Sequence, residues 1–247
     1  MSYPENGQRN RILDRLSDSD IALLQPSLRS VSLRFRMRLQ SSQCAINTIY
    51  FLESGLGSVV ATCAAGARAE VALIGREGMT GLAAVHGADR SPFEIFMQIE
   101  GSGQQIAIQD LRSAMVRSPT LRDCLLLYAH AFSVQSGFTA LANSEGKIED
   151  RLARWLLMAQ DRVEADELLL THDLLSLMLG VRRAGVTTAL HRLEHRGLIA
   201  TARGAVTILD RHGLEEAANG LYGAPEAEFE RVFGSTAVRS PGEVKAI

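Results

Sequence analysis

Arg182, Arg183, Thr187, Thr188 and His191 fall within ten positions of a 247-residue chain, and each carries side-chain hydrogen-bond donors. Ala184 stands among them as a small apolar group able to touch a thymine methyl. Guanidinium forks match guanine edges or phosphate oxygens, and hydroxyl or imidazole groups pair with either, so the chemistry offered is recognition of nucleic acid. His191 and His195 are four residues apart, the one metal-like pair among six histidines, but no acid or cysteine is spaced as a third ligand. No Ser-His-Asp, Cys-His or paired-carboxylate arrangement follows from the sequence either. No catalytic residue, metal or cofactor is therefore expected.

Two helices and a hairpin must position that set. Thr171 is a good N-cap for a short helix whose Leu174, Leu175, Met178 and Leu179 form an apolar stripe, and Gly180 breaks it. A second helix begins near Arg182, with Val186, Ala189, Leu190 and Leu193 on its inward face and the donor-rich set opposite. Two β-like runs follow, Ile199 to Ala202 and Ala205 to Leu209, meeting at Arg203-Gly204 as a hairpin with a basic tip. From Thr171 through Gly204 there are five arginines against two acids, whereas the whole chain holds 26 basic and 28 acidic residues. The positive charge is local, as in a DNA-binding module set in a slightly acidic protein.

The pattern Thr171-His172-Asp173, Met178-Leu179-Gly180-Val181, Arg183, then Leu193-Glu194 and Gly197-Leu198-Ile199 resembles the C-terminal domain of the Crp/Fnr family of transcriptional regulators. The resemblance implies a winged helix-turn-helix that reads DNA, with Arg183 at a base, Arg182 and Arg203 on phosphates, and Thr171, Thr187, Thr188 and His191 beside them. The family often places Glu at the position of Ala184 and Arg at that of Thr188, so a different half-site is implied. It further implies a homodimer on an inverted repeat of promoter DNA, RNA polymerase as a further partner, and a cytoplasmic location.

The remaining chain suits that architecture. Arg11 to Leu24 reads as two short helices separated by Ser17-Asp18-Ser19-Asp20. Six β-rich runs follow: Leu28 to Phe35, Ile46 to Leu52, Ser58 to Cys63, Glu70 to Ile74, Phe93 to Glu100 and Gln104 to Ile108. Turns are expected at Gly55, Gly57, Gly66, Gly75, Gly101 and Gly103, which together suggest a jelly roll or β-roll. Ser118-Pro119 starts a long helix reaching about Ala142, with two apolar stripes, one through Leu121, Leu125, Tyr128 and Phe132 and another through Leu127, Ala131, Val134, Phe138 and Leu141. One stripe docks on the roll and the other is left for a partner; Leu125, Tyr128 and Phe132 are assigned to the dimer seam. Asn143-Ser144 reads as a hinge before a helix from Glu145 to about Val163, where Trp155 is plain core. A last helix spans Gly213 to Leu221. The expected fold class is α+β: a double-stranded β-helix sensor over residues 1–117, a dimerisation helix over 118–143, the winged helix-turn-helix over 144–234 and a loose tail over 235–247. Cys44, Cys63 and Cys124 lie too far apart for a metal motif, and neither an export signal nor a membrane-spanning stretch is expected.

The roll resembles the family's sensor through Ile49-Tyr50-Phe51-Leu52-Glu53-Ser54-Gly55 and Ile74-Gly75-Arg76-Glu77-Gly78-Met79. Its cyclic-nucleotide-binding members carry a Gly-Glu pair followed by Arg-Ser or Arg-Thr. Here Thr80-Gly81-Leu82 lacks the acid and Arg90-Ser91 runs into Pro92, so cyclic AMP is not expected as the effector, and none is named. No cysteine precedes Cys44, which removes the N-terminal cluster of the family's iron–sulfur sensors. The rival from another class is a small-molecule or metal-dependent β-roll protein whose C-terminal domain contacts protein; it would need histidines clustered on strands, and the roll holds only His86.

Overall fold

A computed structural model describes residues 10–163 and 165–234. The expected tail over 235–247 and Glu164 of the acidic stretch lie outside them. Two short helices open the described chain, α1 (Arg11–Arg15) and α2 (Asp18–Leu24). Asn10 caps α1, its Oδ1 accepting from the Ile12 and Leu13 amides, while its Nδ2 donates to the Leu52 and Gly78 carbonyls, both at 2.7 Å. The helix is thereby pinned to the roll behind it.

The roll is built from β1 (Arg29–Leu33), β2 (Arg38–Gln40), β3 (Thr48–Leu52), β4 (Leu56–Thr62), β5 (Arg68–Ile74), the short α3 (Leu82–Val85), β6 (Glu94–Ile99) and β7 (Gly101–Ala107). Its strands pair antiparallel in two sheets, β1-β7-β3 and β2-β6-β4-β5. Leu33, Leu52, Val59, Ile74 and Met97 fill the space between them. The short β2 is an addition to the expected strands. Gly101 and Gly103, expected at turns, lie inside β7: a Cβ on the first would press into the Ser54 carbonyl and on the second into the Phe51 carbonyl. They are glycine because neighbouring backbone comes close.

Beyond β7 the chain forms α4 (Ile108–Arg117), α5 (Pro119–Glu145) and α6 (Ile148–Val163). Ser118 caps α5 by accepting from the Leu121 amide and donates to Asp20, to which Thr120 also donates, so the start of the long helix is tied to α2. The expected hinge at Asn143-Ser144 is continuous helix; the break falls at Gly146-Lys147. At 27 residues α5 is, by length and composition alone, long and apolar enough to cross a bilayer, contrary to expectation. One of its faces is buried on the roll, as in the core helix of a globular protein.

The stripes of α5 are assigned the other way round from expectation. Leu125 is fully buried and Tyr128 nearly so, in the core that α5 shares with α1, α3 and α4, and half-buried Phe132 packs on the same core. Their own protomer thus already covers much of these three, against their assignment to the seam. The residues left outward are Leu126, Leu127 and Leu141, each 38% exposed or more, with half-exposed Val134 and Phe138 between.

The C-terminal region comprises β8 (Glu167–Leu168), α7 (His172–Leu179), α8 (Arg183–His195), β9 (Ile199–Ala202), β10 (Ala205–Ile208), α9 (Arg211–Ala217) and α10 (Ala224–Phe233). A core through Leu156, Leu175, Leu190, Leu198 and Leu214 joins it to Leu56 and Leu73 of the roll. Trp155 is buried as expected, and its Nε1 also donates to Glu70 Oε1 on β5 at 2.6 Å. Neither α10 nor that buried carboxylate is expected from sequence.

Candidate nucleic-acid interface

The interface rests on two helices whose ends are chemically fixed. Thr171 Oγ1 accepts from the Leu174 amide at 3.2 Å to start α7, and Gly180, at φ +61°, ends it in the left-handed region where a side chain would be strained. The turn to α8 is therefore short and defined. Val186, Ala189, Leu190 and Leu193 are buried at helical spacing, which commits the opposite face of α8 to solvent.

Arg182, Arg183, Ala184, Thr188 and His191 are all exposed on that outer face. Arg183 lies 3.4 Å from Asp173 of α7, both more than two-thirds exposed, so solvent screens this contact. Thr188 Oγ1 donates back to the Ala184 carbonyl. Thr187 differs from the expected set: it is half-buried, donates to the Arg183 carbonyl and lies 3.1 Å from His172 Nδ1, so it joins the two helices. Arg192 and Arg196 are exposed further along, and Arg192 lies 3.2 Å from Glu149 of α6.

The wing stands beside this helix. β9 and β10 pair antiparallel, β8 adds a third strand, and Arg203-Gly204 forms the exposed tip. The Gly204 carbonyl accepts from the Leu170 amide at 2.9 Å, which holds the tip next to Thr171 and the start of α7. Glu194 fixes the other end, accepting from both the amide and the hydroxyl of Thr201 at 2.8 Å. Those two donors hold its carboxyl below the usual range, so it stays ionised and bound.

A family model described as a Crp-like helix-turn-helix domain matches residues 150–217. That span contains the turn, the exposed arginines and the wing. Residues 150–217 form a Crp-like helix-turn-helix domain. Over most of its length the chain also shares the fold of solved Crp/Fnr regulators. A Crp/Fnr-family regulator from Eubacterium rectale aligns with a TM-score of 0.68 at 16% identity, over 85% of this chain and 98% of that one. FixK2 from Bradyrhizobium japonicum aligns with a TM-score of 0.67 at 16% identity, over 77% and 96%. The c-di-GMP responsive regulator CLP of Xanthomonas campestris gives 0.65 at 15%, over 78% and 99%. Among curated proteins none matches the chain.

In the Thr80-Gly81-Leu82 stretch, Gly81 (φ +73°) turns into α3 and Leu82 begins it. Arg90 is more than half exposed and lies 3.4 Å from Asp89. Among the described residues no three or more His, Cys, Asp or Glu side chains come together as a metal site.

Proposed function

We propose that this protein is a transcriptional regulator that binds an inverted repeat in duplex DNA as a homodimer. The observation that carries the reading is the outer face of α8, where Arg182, Arg183, Thr188 and His191 stand exposed above a fully packed inner face. Arg183, on the first turn of α8, is assigned to a base edge and Arg182 and Arg203 to phosphates, with Thr171 and His191 beside them. Thr187 orients α7 against α8. The outward stripe of α5, Leu127, Val134, Phe138 and Leu141, is the seam, because it is the long apolar face the protomer leaves uncovered. Two-fold symmetry then sets two copies of α8 about 34 Å apart, one turn of DNA. Cyclic AMP is not the effector, and a cytoplasmic location suits the function.

Salt-dependent duplex binding tests the reading. Phosphate contacts release counterions, so log affinity should fall linearly with log salt, and Arg203→Ala should flatten the slope. A domain that contacts protein instead would show neither effect.

A further inference from the structure

The turn Gly75-Arg76-Glu77-Gly78 takes no part in DNA recognition, yet it is built to receive two side chains from other elements. A Cβ on Gly75 would lie 2.6 Å from Cγ of Arg162, at the end of α6, and a Cβ on Gly78 would overlap the Tyr128 hydroxyl of α5. Only glycine lets both in. Arg162 is 9% exposed, and its Nε lies 2.7 Å from Glu77 Oε1. That contact is poorly aligned, and the Nε–H finds no hydrogen-bond acceptor among the described residues; one Nη1 hydrogen goes to the Met158 carbonyl.

This buried guanidinium lines a cavity of about 320 Å³. The roll contributes Arg76 and Glu77, α5 contributes Tyr128, Ala131, Phe132 and Gln135, and α6 contributes Asp161 and Arg162. Arg11 of α1 and Tyr222, ahead of α10, complete the ring with Pro225, Glu226, Phe229 and Glu230 of α10 itself. The carboxylates on this wall are already held: Glu77 by Arg162, Asp161 by Arg211 and the Tyr222 hydroxyl, Glu226 by the Gly223 amide, and Glu230 by Arg11. Four aromatic rings supply an apolar body, and the volume is that of a small organic molecule.

The geometry points to an effector site for a small aromatic carboxylate, its ring among Tyr128, Phe132, Tyr222 and Phe229 and its carboxylate on Arg162. A guanidinium fork takes a carboxylate through two parallel bonds, which the misaligned Glu77 contact does not provide. This inference rests on the regulator reading for its purpose, and on the cavity alone for its chemistry. The walls come from the roll and from the segments flanking the DNA-binding helices, so moving one against the other reshapes the site. A ligand here therefore has different affinities for different arrangements, the condition for shifting between them.

Calorimetry on the full chain without DNA tests the site, with phenylacetate as probe and benzyl alcohol and benzylamine as neutral and cationic controls. Phenylacetate should bind saturably, with the controls roughly tenfold weaker or more. Ala131→Phe fills the cavity and should abolish binding, while Arg162→Lys keeps the charge, loses the fork and should weaken it by about tenfold. Thermal unfolding of each variant checks that it folds. Saturation should slow amide exchange in both the Gly75–Gly78 turn and α10. Equal binding of the three probes, unchanged binding in folded Ala131→Phe, or no binding at millimolar phenylacetate overturns the site; protection on one side only overturns the coupling. Absence of DNA binding in a separate assay would overturn the regulator reading and leave this result standing.

Discussion

Helices α8 and α5 both present an outer face, but they come by it differently. The buried residues of α8, Val186, Ala189, Leu190 and Leu193, make one stripe, so the pattern alone commits Arg183, Thr188 and His191 to solvent. On α5 two apolar stripes lie side by side, and the pattern cannot say which one the protomer covers. That choice is made by α1, α3 and α10, which close over Leu125, Tyr128 and Phe132 and leave Leu127, Val134 and Leu141 outside. A one-sided helix declares its surface, whereas a two-sided helix needs the rest of the fold.

The largest effect expected comes from placing the same charge on each side of α5. Tyr128→Asp buries a carboxylate in the core with no partner and should cost several kcal/mol, leaving little folded protein in circular dichroism. Leu127→Asp, one residue earlier, should give a folded monomer by light scattering, bound weakly to a half-site. If Leu127→Asp stays a tight dimer, the seam is not on this stripe, and the contrast between the faces fails.

Next in size is Glu70, which links the two regions. It is buried on β5, where it accepts from the Ser58 hydroxyl and Trp155 Nε1. Burial raises its pKa from 4.5 to about 8, although those bonds and the charges of Arg154 and Arg162 pull the other way. The folded state thus binds a proton that the unfolded state releases above pH 4.5. Stability from this group is full below that value, falls as pH rises and levels off above about 8. Glu70→Gln keeps an acceptor for Trp155 and should remove that pH dependence, adding on the order of 4 kcal/mol near pH 8. Chemical denaturation at several pH values reads it, and an unchanged profile would show that Glu70 is ionised in the folded protein.

The same division explains what was legible in the sequence. The winged helix-turn-helix is local: Thr171 caps, Gly180 stops, Arg203-Gly204 turns, and each signal lies within a few residues of the structure it makes. The roll strands were legible from alternation, while Gly101 and Gly103 were misplaced because the backbone they admit, at Ser54 and Phe51, is some fifty residues away. Thr187 was read as a DNA contact because its hydroxyl lies near the outer face; the His172 ring that takes it inward belongs to another helix. The buried ionisable residues Arg162 and Glu70 look like surface residues in sequence, since their partners Glu77 and Trp155 come from distant elements.

On α8 itself, Arg183→Ala should cost roughly 1 to 3 kcal/mol on the specific site and relax discrimination at one position in each half-site. Arg182→Ala should instead weaken binding to all duplexes alike. Binding selection with randomised duplexes separates the two, and unchanged specificity in Arg183→Ala would move the base contact elsewhere on the helix. Either loss is smaller than a buried charge, because DNA contacts act in a solvated groove.

The smallest effect, none at all, is expected from cyclic nucleotides. Such a ligand needs a cation or a nest of amides for its phosphate and an acceptor for its ribose hydroxyl. At the family's position Leu82 and Gly81 offer no side-chain acceptor, and Arg90 is exposed beside Asp89, whose carboxyl it holds below the usual range. An exposed guanidinium with an acid at its side gives up little to a phosphate that water also solvates well. Arg90→Ala should therefore leave both stability and DNA affinity unchanged, and calorimetry with millimolar cyclic AMP or cyclic GMP should show no heat of binding. The contrast with the junction cavity is one of burial: Arg162 is held in the interior between two parts of the fold, where a charge partner counts, and Arg90 is not. Micromolar binding of either nucleotide, lost in Arg90→Ala and coupled to a gain in DNA affinity, would reverse that contrast and return the sensor function to the roll.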